Sequence, residues 1–423
     1  MEQFCGEYNN PERVMLLEEP KEAFFHRVKT LSLAQEEIIL TSFLIRSGTS
    51  GDIIVGALLC AANRGVKVKI LNDAVIGRKP SYYLNVLSAH ENIDVYLFNQ
   101  FEFFKPLYLN SSLHDKYMVM DKTFVILGGR NIEDRDFDPD CFDGKVSLDR
   151  EVLVYNTDSE FNGSIASVRE YFKSKINSDR AFLQRGKNRN GGWQEQQNQY
   201  VNTYMQYKER HVSCNFDYYS NTIRVNKITL VADPFHSARK ESTIARHLVM
   251  LAQKSCTIIA QSPYVVLTNK HFKRFAEAVR DKDFTILTNS LASTPNLPAF
   301  SSYYIDRKNL LTTGVNIYEY QSVQASLHGK TYLFDGRLTA IGSFNINERS
   351  IRFDAESMLM IEGEEFHDVT LKAIKSQISQ SLRVGKGNKY DLSSGVEKAQ
   401  VSLGKRILYV LAGCLLRVFR FMF

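Results

Sequence analysis

One short phrase occurs twice in this chain of 423 residues. The first copy is Leu113-His114-Asp115-Lys116 with Asp121, and the second is Leu327-His328-Gly329-Lys330 with Asp335. A turn with glycine and asparagine follows each at the same distance, Gly128-Gly129-Arg130-Asn131 and Gly342-Ser343-Phe344-Asn345. Two copies with matching downstream turns arise by chance in well below about one per cent of chains of average composition. The duplication implies two tandem copies of one structural unit.

Each phrase leads into a β-like run, Tyr117 to Met120 and Thr331 to Phe334. Residues two apart share a strand face, so His114 and Lys116 point the same way, as do His328 and Lys330. Asp121 and Asp335 stand an odd number of residues beyond the lysines. They complete the motif but are expected to brace the following turn, and Asp335-Gly336 is a good hairpin dipeptide. One half therefore offers an imidazole, a fixed positive charge and an amide, enough to hold a phosphoryl group but not to cleave it. Two half-sites together supply a nucleophile and a proton donor, with Lys116, Lys330, Asn131 and Asn345 around the equatorial oxygens.

This pattern resembles the phospholipase D superfamily, whose members build one active site from two such half-sites. The resemblance extends from about Lys21 to about Leu382. It implies an α/β fold of two fused phospholipase D-like repeats, each a mixed sheet flanked by helices, with the active site at their interface. The implied catalytic set is His114, Lys116, Asp121, His328, Lys330 and Asp335, with Asn131, Ser343 and Asn345 on the substrate phosphate. His114 is placed as the nucleophile that becomes a phosphohistidine, and His328 as the acid and base. A histidine that attacks through one nitrogen needs the other held by an acceptor. Glu356, before the run Ser357 to Met360, matches the family carboxylate that does this. In the first half Glu151 is the candidate and Asp149 its rival. No cofactor and no metal is implied, because the two lysines supply positive charge that a cation would otherwise provide.

Within the superfamily, Gly128 to Ile132, Leu287 to Thr294, Ser262-Pro263-Tyr264, and Gly342 to Asn345 with Arg349-Ser350 are similar to bacterial cardiolipin synthases of the C type. Two departures stand out. Asp115 replaces an asparagine or similar residue common after the first histidine, and the usual Leu-Pro-Ile-Glu ending is missing. The implied reaction makes cardiolipin from phosphatidylglycerol and a second phospholipid, either phosphatidylglycerol or phosphatidylethanolamine. The alternative is hydrolysis of a phosphodiester by the same two histidines, as a phospholipase D or a nuclease. A balance of 53 basic and 47 acidic residues gives a nucleic-acid partner little support. The net charge of +6 suits phospholipids and an anionic membrane surface. A shielded site open to acyl chains would favour transfer over hydrolysis, and Phe101, Phe103, Phe104 and Tyr108 are candidates to line that approach or to pack in the core.

Alternating strands and helices give two sheet-centred α/β halves. The first, 1–183, has strands at 37–42, 66–71 and 95–98 and helices at 52–63 and 82–89. The second, 227–385, repeats the order with strands at 257–260, 284–287 and 315–318 and helices at 270–280 and 303–311. Residues 184–226, rich in Asn, Gln, Gly and Arg around Trp193, read as an exposed polar connection, with a substrate-covering lid as the alternative. In the remaining segment, 386–423, Lys405 to Phe423 carries a broad apolar surface with Arg406, Arg417 and Arg420 on one face. That pattern suits an interfacial helix on anionic lipid, the alternative being a helix docked on the protein's own core.

Six scattered cysteines without ligand spacing argue against a disulfide framework or a zinc site. The start lacks the basic and apolar regions of a signal peptide, and no run is long and uncharged enough to span a bilayer. The resemblance implies peripheral placement on a bacterial inner membrane, on the cytoplasmic side. His236 and His271 read as structural or surface residues. Arg130 and Arg349 either contact a second phosphate or brace Asp134 and Asp354.

Overall fold

The computed structural model describes residues 2–6, 10–74, 82–99, 110–138, 142–184, 192–237 and 239–416. The chain begins with β1 (Glu12–Leu17), α1 (Pro20–Leu33), β2 (Glu37–Ser42), α2 (Thr49–Asn63), β3 (Lys67–Asp73), α3 (Tyr82–Ser88) and β4 (Ile93–Phe98). It continues through β5 (Tyr117–Met120), β6 (Phe124–Gly128), α4 (Asp134–Phe137), β7 (Val146–Leu148), β8 (Glu151–Asn156), α5 (Ser164–Ile176) and β9 (Ala181–Gln184). Then come α6 (Gln194–His211) and the short β10 (Ile223–Arg224).

The second half starts with β11 (Lys227–Ala232), α7 (Thr243–Lys254), β12 (Thr257–Gln261), β13 (Val265–Val266), α8 (Asn269–Val279), β14 (Asp283–Asn289), α9 (Leu297–Leu311) and β15 (Asn316–Tyr320). There follow β16 (Ala325–Leu327), β17 (Thr331–Phe334), β18 (Leu338–Gly342), β19 (Ile346–Asn347), α10 (Glu348–Arg352), β20 (Ser357–Glu362), α11 (Glu364–Ile378) and β21 (Ser381–Val384). The last described elements are β22 (Tyr390–Asp391) and α12 (Leu403–Leu416).

Two nine-stranded sheets result, ordered β10-β1-β8-β6-β5-β2-β3-β4-β9 and β11-β20-β18-β17-β12-β14-β15-β21-β22. In each, three strands joined by helical crossovers are parallel, and the hairpin carrying the motif is antiparallel beside them. Tyr117 faces Leu127 in one hairpin and Thr331 faces Ile341 in the other, so the motifs enter equivalent positions. These hairpin strands are buried along their whole length, which explains their continuous apolar runs.

One apolar core lies outside each sheet, under α1 and α2 in the first half and α7, α8 and α9 in the second. A third is shared: Val119, Leu127 and Val152 of the first half join Ile228, Ile341 and Leu359 of the second. Helices α5 and α11 cross to the opposite half, touching β11 and β1 respectively. The halves are therefore held face to face by burial that neither could complete alone.

Two elements differ from the sequence reading, and a third follows the alternative given for it. Helix α9 starts six residues before the expected Tyr303, because the Asn296 side chain caps Ala299 N and Pro298 suits the first turn. The polar stretch read as an exposed connection contains α6, packed closely on α2. Its anchor is a stripe of tyrosines, Tyr200, Tyr204 and Tyr207, with Tyr204 wholly buried. Helix α12 docks on α9 through Tyr409 and Gly413, while Ile407, Leu408, Leu411 and Leu415 stay exposed. Arg417 and Arg420 of the expected basic face lie outside the described residues, as do Phe101, Phe103, Phe104 and Tyr108.

Candidate active site

The two motifs meet across the interface between the halves by two short backbone connections. His114 N donates to Ala355 O (2.9 Å), and His328 N donates to Leu148 O (2.7 Å). Strand β7 pairs in parallel with β16 on one side, and Leu113 bridges Ala355 on the other. Each histidine is thereby set one residue away from a carboxylate of the opposite half. His114 Nδ1 lies 2.9 Å from Glu356 Oε2, and His328 Nδ1 lies 2.5 Å from Asp149 Oδ2. With Nδ1 held by a carboxylate, Nε2 is left as the reactive nitrogen of each ring. The imidazoles retain 14% and 23% side-chain exposure and the carboxylates none, so in each pair the ring, not the carboxylate, is open to substrate.

The first-half carboxylate is Asp149, not Glu151. Register decides this: Gly128 faces Glu151 in β6–β8, whereas Gly342 faces Met358 in β18–β20, which makes Asp149 the counterpart of Glu356. Glu151 instead receives the guanidinium groups of Arg27 and Arg130, all three buried. Arg130 also donates to the carbonyls of Asp149 and Leu17, so it braces the Asp149 loop and leaves Asp134 to bind the first amides of α2. Gly129 is required by close approach, since a Cβ there would sit 2.4 Å from Asp149 Oδ1.

Lys116 and Lys330 each curl back onto the carbonyl of their own histidine. Burial pulls both ammonium groups down to about 8, against the opposing pull of Glu356 and Asp149. Burial also lowers both imidazoles, His328 to about 3, despite the carboxylate beside each. Burial alone would raise Glu356, but His114, Lys240 and Lys116 outweigh it and hold the carboxyl at about 2. For Asp149, Lys330 and His328 overcome the same penalty and keep it well below the usual carboxylate range. Burial thus works against a proton on either imidazole and against charge on either lysine, and the neighbouring carboxylates oppose it in both half-sites.

Asn131 and Asn345 follow β6 and β18 and are buried, each with an amide oxygen lacking a partner among the described residues. A buried amide oxygen in that state is an acceptor that a hydroxyl or a water would satisfy, while the amide nitrogen of the same side chain is the donor available to an anion. Ser343 is differently occupied: its hydroxyl binds the backbone of Ser357, which ties the turn to β20. Asp121 and Asp335 sit at the far end of their strands, at φ +53° and +48°, away from the histidines. Asp121 accepts from Gln35, Glu36 and Glu37 amides and Asp335 from Cys256 and Thr257 amides, so both brace turns.

The sequence reading missed three further groups. Ser350 Oγ donates to Glu356 Oε1 (2.5 Å) and accepts from Asn345 N, linking carboxylate and asparagine. Asp136 does the equivalent for Asn131 N (2.7 Å). Burial, with Glu133 next, pushes its carboxyl up to about 7. Lys175, on α5, forms a wholly buried ion pair with Asp115, the residue that departs from the usual asparagine. Matching spacing after the two asparagines, five residues to Asp136 and to Ser350, was the available signal for the first two. Arg349 binds Asp354 of its own half and Ser112 of the opposite one, a brace and not an open anion site. His271 pairs with Glu348. Among the described residues no cluster of His, Cys, Asp or Glu is arranged to hold a metal.

Two interleaved half-sites, each with histidine, lysine and asparagine, on a pair of α/β repeats define a phospholipase D-type phosphotransfer centre. The sequence profile of the family described as "Cardiolipin synthase, PLD-like domain" matches residues 28–175 and 246–378, and the chain belongs to that family. Membership supports a phospholipase D-type phosphatidyltransferase. An uncharacterized protein of Helicobacter pylori is 29% identical over 416 residues, covering 88% of this chain and 80% of its own length. Cardiolipin synthase C of Escherichia coli K12 is 26% identical over 405 residues, 85% of this chain and 83% of that protein. In fold, the chain is similar to the crystal structure of phosphatidylserine synthase from Haemophilus influenzae. The TM-score is 0.68 at 13% identity, over 99% of this chain and 97% of that one.

Proposed function

We propose that the protein is a phosphatidyltransferase that makes cardiolipin from phosphatidylglycerol and a second phospholipid. The observation that carries the reading is the reciprocal pairing of each histidine with the other half's carboxylate, within a chain of this family. His114 Nε2 attacks the phosphorus of the donor lipid and the bond to the head-group oxygen breaks. His328 supplies a proton to that leaving oxygen. The resulting phosphohistidine is then attacked by the glycerol hydroxyl of phosphatidylglycerol, whose proton returns to His328, and His114 is released.

Burial disfavours a proton on either imidazole in the free site, so substrate binding has to help draw in the proton for the leaving group. The negative phosphodiester does this by favouring the charged form of the ring beside it. Lys116, Lys330, Asn131 and Asn345 surround the equatorial oxygens. The donor is phosphatidylglycerol or phosphatidylethanolamine. The protein works peripherally on an anionic bacterial inner membrane, on its cytoplasmic side, with the exposed apolar ridge of α12 laid in the interface. No helix among the described residues is long and apolar enough to cross a membrane.

The test is mass spectrometry of lipids after incubating purified protein with mixed phosphatidylglycerol and phosphatidylethanolamine vesicles, beside His114→Ala and His328→Ala. Cardiolipin from the wild type, lost by about a thousandfold or more in both variants, is expected. Released ethanolamine or glycerol identifies the donor. Phosphatidic acid without cardiolipin would replace the transferase by a phospholipase. Near-normal turnover in either variant would break the shared two-histidine site.

A further inference from the structure

The two halves differ in what covers their outer helices. In the first, α6 lies across α1 and α2. Tyr207 packs on Phe24, and the backbone of Tyr200 comes so close to Gly56 that a Cβ there would sit 2.0 Å from its carbonyl oxygen. In the second, the added helix α12 sits on α9, and among the described residues no helix lies over the cleft between α7 and α8. A cavity of about 790 Å³ opens there, within the range of small-molecule sites.

The chemistry of the cleft is two-sided. Its floor is apolar, built from Leu248, Ala252, Ala278, Phe284, Phe334 and Phe344, and Met250 at the mouth is 40% exposed. Its rim carries Arg239, Arg246, Lys270 and Arg274, all exposed and none ion-paired with a described residue, against Glu241 and Glu277. The basic groups outnumber the acidic ones at the edge of an apolar trough. Such an arrangement fits a long apolar chain carrying an anionic head.

The cleft also shares a wall with the catalytic centre. Phe344 and Ile346, on either side of Asn345, line it. Tyr332, two residues beyond Lys330, forms part of the wall and donates to Phe344 O (2.9 Å). Lys240, another lining residue, holds Asp233 and the carbonyl of Asp354, two residues before Glu356.

We infer that the α7–α8 cleft binds one acyl chain of an anionic phospholipid, whose phosphate rests on the Arg246–Arg274 rim. The site lies on the outer helical layer, separate from the reacting histidines. The choice of a phospholipid over another anionic amphiphile rests on the lipid reading of the active site. Occupancy would give the second half the cover that α6 gives the first.

The test uses the full-length His328→Ala protein, so that the readout does not depend on turnover. Vesicles of phosphatidylcholine containing a phosphatidylglycerol with a diazirine at the end of one acyl chain are photolysed with it. Adducts are mapped by peptide mass spectrometry. Labelling of the peptides containing 243–254 and 269–279 is expected, exceeding that by the same probe with a phosphatidylcholine head. Val249→Trp, which fills the mouth, should bring it to background. Arg246→Glu with Arg274→Glu, at exposed positions, should lower it about tenfold or more. Labelling confined to other peptides, or left unchanged by both sets of variants, would overturn the site. Loss of cardiolipin synthesis in the preceding experiment with labelling intact would instead overturn only the transferase reading.

Discussion

The first and second halves share a frame and a catalytic motif, yet each is incomplete in the same way. Each brings histidine, lysine and asparagine, and each takes the carboxylate for its histidine from the other. They differ in how that carboxylate is held. Glu356 is wholly buried and takes a hydroxyl donor, Ser350. Asp149 is shorter and has Asp136 at the place equivalent to Ser350. Its loop is fastened by Arg130, while Arg150 reaches across to Thr331 and Gln261 and also pairs with Glu18. A duplicated unit has thus kept the reacting groups alike while its supports diverged. The chemistry fixes positions of a few atoms, and many side-chain arrangements can satisfy those positions.

The sharpest way to break this comparison is to exchange the predicted carboxylate for the observed one. Asp149→Asn should lower kcat by about 10³–10⁴-fold, because an amide no longer selects the right tautomer of His328. Glu151→Ala should act on stability, since it leaves Arg27 and Arg130 buried without their carboxylate, at a cost of roughly 3–5 kcal/mol. Steady-state kinetics and urea denaturation of both variants separate the two roles. A kcat within tenfold of wild type for Asp149→Asn would defeat the reciprocal arrangement.

Lys175 and Asp115 mark a support found only in the first half, where the equivalent of Asp115 in the second is Gly329. Lys175→Met should cost roughly 3–5 kcal/mol by stranding a buried carboxylate. Adding Asp115→Asn should restore much of that loss, because a neutral amide carries no uncompensated charge. Denaturant midpoints of the single and double variants check it; a double variant no more stable than Lys175→Met would show that the pair is not the reason.

A smaller effect sharpens the likeness of the two lysines. Both titrate at about 8 and hold an anion only while charged. The sign follows: substrate binding is complete below that pH and weakens as pH rises through it, with KM increasing about tenfold per unit beyond for each lysine required. Lys116→Arg should make the rise in KM less steep, since the guanidinium stays charged while Lys330 still titrates. A flat KM up to high pH in the wild type would remove the lysines from phosphate binding.

The smallest effect concerns the unequal covers. Leu411→Glu with Leu415→Glu, on the exposed face of α12, should weaken sedimentation with anionic vesicles a few-fold and leave the melting temperature unchanged. Gly413→Val should do the reverse in emphasis. Its Cβ would sit 2.6 Å from Ile305 Cδ1 and unseat the helix from α9, lowering thermal stability. Equal vesicle binding by the double variant would detach α12 from the membrane reading.

The frame and the motif positions were legible because both are local. Hydrophobic periodicity marks strands and helices within a few residues, and the repeated spacing places His114 with Lys116 and His328 with Lys330 on common faces. Asp121 and Asp335 were readable as turn braces for the same reason. Helix α6 escaped because its stripe of three tyrosines, one buried and two half-buried, is diluted by Gln and Asn. The choice of Asp149 over Glu151 escaped because it depends on which residue of β8 faces Gly128, a matter of pairing register between separate strands.

The sequence by itself determined which residues are repeated and the number of half-sites, since these follow from residue type and spacing along a strand. Only the tertiary structure decided that the carboxylates are exchanged between halves, that Asp115 is answered by Lys175, and that one outer cleft is filled by α6 while among the described residues the other stands open. Those are contacts between residues far apart in the chain, set by how two sheets pack face to face, and no local pattern encodes which partner a buried charge will meet.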